Sequence, residues 1–571
     1  MQLMKIILID TKSYFIKVLF MIMLVSSFQT NVFAQKLTFT SSNLPIVIID
    51  TKNQEIKDSA KIIATMKIID FSPAKRNNLT DFANVYDGFI GIELHGNSSL
   101  FLPQSSFGIE TSDSIGNSLN VSLLGMPVEN DWLLIQQYSD KSFVRNLLSY
   151  DLFRQMGHYS ARFRHCEVIV NGSYAGIYLF GEKVKQDKNR VNIAKLDPTE
   201  NSFPDITGGY ITKLDHHEWW HPNFFWWVNQ KHPSKDWDVH MHYHIPNGIK
   251  ISTNQRTYIQ NYYDDFQYVL DSNIFADTTY GFRRYVDTKS WIDYLIVNEI
   301  SRNFDGFRKS RYLCKEKDNV ATGALGKLYA GPVWDFDYGF RDLKHDECDQ
   351  YTREDGSGWA FRHSSDSCGW QYFPHSPNWD SRMLQDTNYA NELKCRWIYL
   401  RSNIITIESM FKFIDSINVA TEEARVRHFE RYPYSTISTV DAHPSADFNA
   451  EIDSIKAWLT RRLLWLDDNM PGNAVYCANY SGVKDIQNDI SLVAIYPNPF
   501  QESITLKLST EFESLVNFTV FDVRGSIIKQ LNFVDVINNR EIKMELKELS
   551  QGIYFVQIND GKRNVILKIV R

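Results

Sequence analysis

The chain has 571 residues, 43% hydrophobic, 23% charged and 14% aromatic, a composition that excludes a disordered or collagen-like protein. Its formal charge of −7 lacks the basic excess of a general nucleic-acid binder. Its six cysteines are too sparse for a disulfide scaffold.

Lys5, Lys12 and Lys17 precede an apolar run from Val18 to Phe28, and Val32-Phe33-Ala34 stands before Gln35. This pattern predicts an export leader over residues 1–34, and no later stretch is long and apolar enough to span a bilayer. Export permits disulfides among Cys166, Cys314, Cys348, Cys368, Cys395 and Cys477, with the pairing left open.

Residues 35–470 mix strands and helices without a βαβ rhythm or a repeat, which predicts an α+β domain. Val144, Leu147, Leu148, Leu152 and Met156 recur at helical spacing, predicting a helix over Lys141–Met156 that Ser139 or Asp140 caps and Gly157 ends. Cys166–Val170 and Ser173–Phe180 flank Asn171-Gly172, the signature of a tight hairpin. His240, His242 and His244 alternate along a strand, with His216, His217 and His221 nearby. They either hold a metal or, the commoner case, sit on a half-exposed strand. Trp219, Trp220, Trp226, Trp227 and Trp237 either stack on a substrate or pack internally. Trp291, Ile292, Leu295, Ile296 and Ile300 predict a buried helix over Ser290–Phe304, and Ala450–Leu466 a late amphipathic one. A polar stretch over 471–489 reads as a linker. From 490 to 571, period-two segments such as Ser503–Leu508, Phe518–Phe521 and Gly552–Val556 predict a small all-β sandwich.

Three carboxylates stand out. Asp305 directly follows the predicted buried helix, where it would face the negative end of the macrodipole. Asp335 and Asp337, two apart, share one face of an extended segment with Trp334 and Phe336 on the other. Paired acids repel unless a cation lies between them, and hard oxygen ligands suit Mg²⁺ or Mn²⁺ on a phosphorylated substrate. The alternative is a loop whose acids are solvated or paired with Arg341.

The run Asp305-Gly306-Phe307-Arg308-Lys309-Ser310-Arg311-Tyr312-Leu313, followed by Gly326-Lys327-Leu328 and Gly331-Pro332-Val333-Trp334-Asp335-Phe336-Asp337, resembles the CotH (spore coat protein H) kinase family. Leu94-His95-Gly96-Asn97-Ser98-Ser99, Asp140–Asn146, Asn171–Leu179, Glu182-Lys183 and Gly208-Gly209-Tyr210-Ile211 agree in order, over roughly residues 85–345 with a weaker tail to about 470. The resemblance implies a divergent, atypical protein-kinase-like fold that transfers the γ-phosphoryl group of ATP to serine on proteins. It gives Asp305 the catalytic role of orienting the substrate hydroxyl and Asp335 and Asp337 the metal, with Ser310 as a weaker ligand where the kinase pattern has Asn. Lys183 and Arg145 are the cations expected at the phosphates, and the turn holding Asn97 and Ser98 is either an anion nest or a plain turn. The three acids are thereby expected to gather round one divalent ion.

His95 stands where the family often has Arg, and Gln104-Ser105-Ser106 stand where lysines follow the proline. These departures keep open a second reading, a weak or inactive surface module that binds glycans or an envelope protein. Gly323–Leu328 lacks Walker spacing and reads as a hairpin turn.

Tyr496-Pro497-Asn498-Pro499-Phe500, Phe521-Asp522-Val523-Arg524-Gly525, Leu549–Tyr554 and the end Lys568-Ile569-Val570-Arg571 resemble the C-terminal sorting domain of the type IX (Por) secretion system. That resemblance implies a cargo of the type IX machinery, secreted or held at the cell surface. Its expected partner there is a surface or extracellular protein substrate.

Overall fold

A computed structural model describes residues 39–479 and 493–571, apart from 59, 97, 216–221, 231–236, 343–354, 365–375, 438–442, 510–511, 513–514, 523–526, 537–539 and 561–563. The expected leader over 1–34, residues 480–489 of the expected linker, and Asn97, His216, His217, His221, Trp219, Trp220, Cys348 and Cys368 lie outside the described residues. The chain divides into two compact units after Ala478.

In the first unit, period-two segments place apolar side chains on one face of β1 (Ile46–Asp50), β2 (Ile62–Ile69), β3 (Tyr86–His95), β4 (Ser106–Ser112), β5 (Asp131–Gln136), β6 (Phe163–Val170) and β7 (Ser173–Glu182). These strands close into a barrel in the order β1-β2-β3-β4-β5-β7-β6, sealed by the parallel pair β1 and β6 with Ile46 opposite Glu167. Closure leaves no free edge. Ile49, Met66, Ile90, Ile92, Trp132 and Phe180 fill the interior. Asn171 and Gly172, at φ 49° and 75°, make the tight turn between β6 and β7.

Helix α1 (Arg145–Gln155) begins four residues later than its hydrophobic spacing predicts. The cause is Phe143, whose φ of 61° no right-handed helix continues through. Asp140 instead accepts hydrogen bonds from the backbone N–H groups of Ser142 and Arg145 at 3.0 and 2.9 Å. Gly157, φ 97°, ends the helix.

A five-stranded antiparallel sheet follows, in the order β9 (Phe225–Gln230), β10 (Trp237–Ile245), β8 (Tyr210–Leu214), β11 (Arg311–Lys315) and β12 (Leu328–Ala330). Helix α2 (Thr253–Asp271) buries Ile259, Tyr263, Phe266 and Leu270, and it starts at a capping box in which Ser252 and Gln255 bond each other's backbone. Helix α3 (Thr288–Ser301) is buried on every side from Ser290 onward. It packs against α1, α6 (Thr387–Asn403) and α8 (Phe448–Asn469). The one-turn α4 (Asp305–Arg308), the short α5 (Trp379–Met383) and the long α7 (Ile407–Arg431) complete the helical part.

Because α3 has no wet face, its charged residues need partners inside the protein. Asp293 bonds Arg396 at 2.7 and 2.9 Å, and Glu299 bonds Arg462 at 2.8 Å with neither side chain exposed. Arg311, at the start of β11, pairs likewise with Asp380 of α5 at 2.6 Å. Cys395 on α6 is disulfide-bonded to Cys477, while Cys166 and Cys314 are buried free thiols. The expected linker therefore starts as packed structure. Gly472, at φ 102°, lies so close to α6 that a Cβ would stand 2.1 Å from the Ala390 carbonyl, and the Asn473 N–H donates to Asn391 at 2.8 Å.

The second unit is a pair of antiparallel sheets. One is β13 (Val493–Tyr496), β14 (Ser503–Leu508) and β17 (Glu541–Glu545) in the order β13-β14-β17. The other is β15 (Leu515–Asp522), β16 (Ile527–Asp535), β18 (Ile553–Asn559) and β19 (Asn564–Val570) in the order β16-β15-β18-β19. Ile504, Leu506, Phe518, Val520, Val556 and Ile569 share one core. Arg462→Met leaves Glu299 buried without its cation and is expected to destabilise the first unit by roughly 3–5 kcal/mol. Glu299→Met/Arg462→Met should recover much of that loss, as a denaturant titration of the two variants would measure.

Candidate active site

The two acids of the Trp334–Asp337 segment are set by a clamp from the entrance of α1. Asn146 accepts the Phe336 N–H at 2.8 Å and donates to Asp337 Oδ1 at 2.5 Å, and the Ser139 hydroxyl donates to Asp337 Oδ2. One residue earlier, Arg145 Nε donates to the Gly339 carbonyl at 3.0 Å. The segment is not a plain strand, because Asp335 has a φ of 61°. Trp334 stacks on Tyr150 at 5.9 Å, and Tyr150 donates to Asn146 at 3.2 Å, so the aromatic layer braces the residue that holds the acids.

Asp335 and Asp337 are both half-buried. Burial, then the neighbouring Asp337, pushes Asp335 up to about 7. Asp337 is also raised, chiefly by burial, with the bonds from Ser139 and Asn146 pulling the other way. Ser310, at φ 55°, brings its hydroxyl within 3.4 Å of Asp335 Oδ2.

Asp305 takes a different position from the expected one. Helix α3 stops at Ser301 because Arg302 turns left-handed at φ 51°, and Asp305 opens α4 instead of closing α3. The macrodipole cost expected at a helix C-terminus therefore does not apply. The carboxylate is buried, with Oδ1 bonded by Arg308 Nε at 2.9 Å and Oδ2 ion-paired with Lys309 at 3.0 Å. Burial alone would raise it, but Arg308 and Lys309 outweigh that and hold it below the usual carboxylate range. Asn303, just before it, donates to the Asp335 carbonyl at 3.1 Å, and the Phe340 N–H donates to the Ser301 carbonyl at 2.8 Å. The Asp305 loop and the acid turn are stitched together at both ends.

Of the expected cations, Arg145 is placed elsewhere. It is 1% exposed, with Nη1 on Asp140 at 2.6 Å, Nη2 on Glu451 at 2.6 Å and Nε on Gly339. Its guanidinium therefore tethers the acid turn from behind. Lys183 follows β7, half-buried. Burial first, then Lys183 and Lys213, push His95 down to about 3. His244, whose ring bonds the Val184 carbonyl at 3.0 Å, is pushed down to about 4 by burial and then Lys213, with Lys183 adding to it. Lys213 pairs with Asp215 at 2.5 Å, and Asp215 in turn raises Asp335. Ser98 opens a single 3₁₀ turn after Gly96. His240 and His242 lie against Phe225, at 5.7 and 6.0 Å, and Trp226 stacks on Tyr243 at 4.4 Å.

Among the described residues no three His, Cys, Asp or Glu side chains converge to hold a metal ion, so the expected gathering of all three acids does not form. Asp305 is neutralised by its own cations. Asp335 and Asp337 remain, two carboxylates raised by burial with a hydroxyl beside them, and this hard-oxygen set fits a small divalent cation. The sequence pattern marks Ser139 only as a helix cap and gives Asn146, Lys309 and Lys213 no role at the site. Lys309 had a readable signal, a cation four residues after Asp305 on a helical turn. Asn146 lies 191 residues from its partner, and only the fold joins them.

Fold and site together define an α+β protein with a half-buried acid pair suited to a cation, stitched to a third, cation-paired aspartate. A family model described as CotH kinase protein matches residues 92–466, well over half of the chain, and the chain belongs to that family. A second model, described as a secretion system C-terminal sorting domain, matches residues 494–571. No curated protein matches the chain. The sorting domain marks the protein for export by type IX secretion to the cell surface or beyond, and no helix among the described residues is long and apolar enough to cross a membrane.

The raised Asp335 makes a signed prediction. Its carboxyl ionises freely in the unfolded chain but not in the fold, so the metal-free protein loses stability as pH rises from the ordinary carboxylate range through about 7. In chelator, Asp335→Asn should raise Tm by on the order of a few degrees at about pH 8 and leave it unchanged at about pH 4. Thermal melts across that range check it. Asn146→Ala removes two bonds to the turn and should lower Tm at every pH.

Proposed function

We propose that the protein is an exported, divergent protein-kinase-like phosphotransferase that moves the γ-phosphoryl group of ATP to serine of an exported or surface protein. Its Mg²⁺ or Mn²⁺ would be held by Asp335 and Asp337, with the Ser310 hydroxyl beside them. The observation that carries this reading is the arrangement of Asp305, β11, β12 and the acid turn. An aspartate is followed by two short strands that return the chain to a repelling acid pair, and Asn303 bonds the two ends at 3.1 Å. Family membership supports the same chemistry.

In this reading the serine oxygen forms a bond to the γ-phosphorus as the bond from that phosphorus to the β-phosphate oxygen breaks, and ADP leaves. Asp305 orients the hydroxyl and receives its proton. Lys183 faces the phosphates as a point charge, and positioning plus charge stabilisation supplies most of the rate. A bound divalent ion supplies further charge neutralisation on the phosphates. Arg145 and Asn146 act at one remove, by holding the acids in place.

A second reading, a non-catalytic surface module, is favoured by one feature: both oxygens of Asp305 already carry cations. Transfer of labelled phosphate from ATP with Mg²⁺ or Mn²⁺ decides between them. The kinase reading expects Asp305→Asn and Asp337→Asn each to lower the rate by on the order of 10²–10⁴-fold. Activity surviving both changes contradicts these roles. No transfer, together with no nucleotide-induced thermal shift, supports the module.

A further inference from the structure

We infer that Lys309 is the group that contacts the transferred phosphoryl, and that its ion pair with Asp305 is a resting position it leaves when nucleotide binds. This inference rests on the phosphotransferase reading above.

One carboxylate, Asp305, is met by two cations, and they divide its oxygens between them. Arg308 places Nε and Nη2 on Oδ1 at 2.9 and 2.8 Å, and Lys309 places Nζ on Oδ2 at 3.0 Å. Arg308 alone neutralises the acid. Its planar fork is fixed by two contacts to one oxygen and lies 4.9 Å over the Phe304 ring. Lys309 is held by a single contact to the acid. It is the first residue past α4, in extended conformation at φ −147° and ψ 169°, and its charge sits on a flexible four-carbon stem.

Its position faces the acid turn. Nζ lies 5.8 Å from the ring of Tyr338, which directly follows Asp337, and its charge acts on Asp335 as well as on Asp305. Lys309 is thus bonded to the proposed hydroxyl-orienting group and lies near Tyr338 at the end of the acid turn, and it is on this side of Asp305 that we place the γ-phosphoryl group. A phosphoryl group carries more negative charge than one carboxylate and draws a compact ammonium toward it. When Lys309 moves, Oδ2 is freed, while Oδ1 stays with Arg308. The seryl hydroxyl then donates to Oδ2, its oxygen bonds to phosphorus, the bond to the β-phosphate oxygen breaks, and the proton leaves through Asp305 to solvent. The resting pair thus keeps the acid covered until nucleotide is present.

The test pairs binding with turnover in the full chain. Calorimetry with ATP and with ADP, each with Mn²⁺, reads the contribution of the γ-phosphoryl, and phosphate transfer reads kcat. Lys309→Met is expected to leave ADP affinity within about 2-fold of wild type, to remove a preference for ATP over ADP of about 10-fold, and to lower kcat by on the order of 10²-fold. Lys309→Arg should restore much of both. Lys309→Gln, which keeps a donor for Asp305 without the charge, gives the same reading should the Met variant not fold. An unchanged ATP-to-ADP ratio with unchanged kcat overturns the assignment, as does an equal loss of ADP and ATP affinity, the sign of a merely structural lysine. A wild-type chain that binds neither nucleotide overturns the phosphotransferase reading and this assignment with it.

Discussion

Two carboxylates do not stay side by side beneath protein atoms without restraint, and here the restraint comes from the entrance of one helix. Ser139, Arg145 and Asn146 reach across to Asp337, Phe336 and Gly339 and bind both side chain and backbone of the acid turn. The left-handed Phe143 shapes that entrance and Asp140 caps it, so a local backbone choice in the first half of the chain sets the spacing of acids nearly two hundred residues later. The repulsion stored between Asp335 and Asp337 is then available to any cation that enters.

The same rule, that a buried charge needs a partner, organises the helical part around α3. Because α3 is enclosed, Asp293 and Glu299 recruit Arg396 and Arg462 from α6 and α8, and Arg311 is drawn to Asp380. Arg145 belongs to this class of structural cation, tied to Asp140 and Glu451. Lys309 behaves differently. It pairs with Asp305 beside the acid turn, while burial, with Lys183 and Lys213 adding to it, keeps His95 and His244 neutral. Arg145 is fixed in the frame by three acceptors, whereas Lys309 keeps a single point charge on a flexible stem beside the acid turn.

Local pattern made much of the molecule legible in advance. Period-two alternation marked strands of the second unit, Asn171-Gly172 marked the β6–β7 turn, and the spacing of Trp291, Leu295 and Ile300 marked α3. The closeness of Asp335 and Asp337 was legible because only Phe336 lies between them. What pattern missed depended on single backbone angles or on distant contacts. Arg302 at φ 51° detaches Asp305 from α3, Phe143 delays α1, and the burial of Arg145 depends on Glu451, three hundred and six residues away. A cation seen in sequence carries no sign of whether the fold will lock it into a buried ion pair.

The central claim, that Asp335 and Asp337 form a cation site held by the α1 clamp, is tested most directly by titrating Mn²⁺ into the full chain near neutral pH and counting bound ions by electron paramagnetic resonance. Saturable binding by the wild type is expected, with its loss in Asp335→Asn/Asp337→Asn and its retention in Asp305→Asn. Undiminished binding by the double variant, or no saturable binding by the wild type, would contradict it.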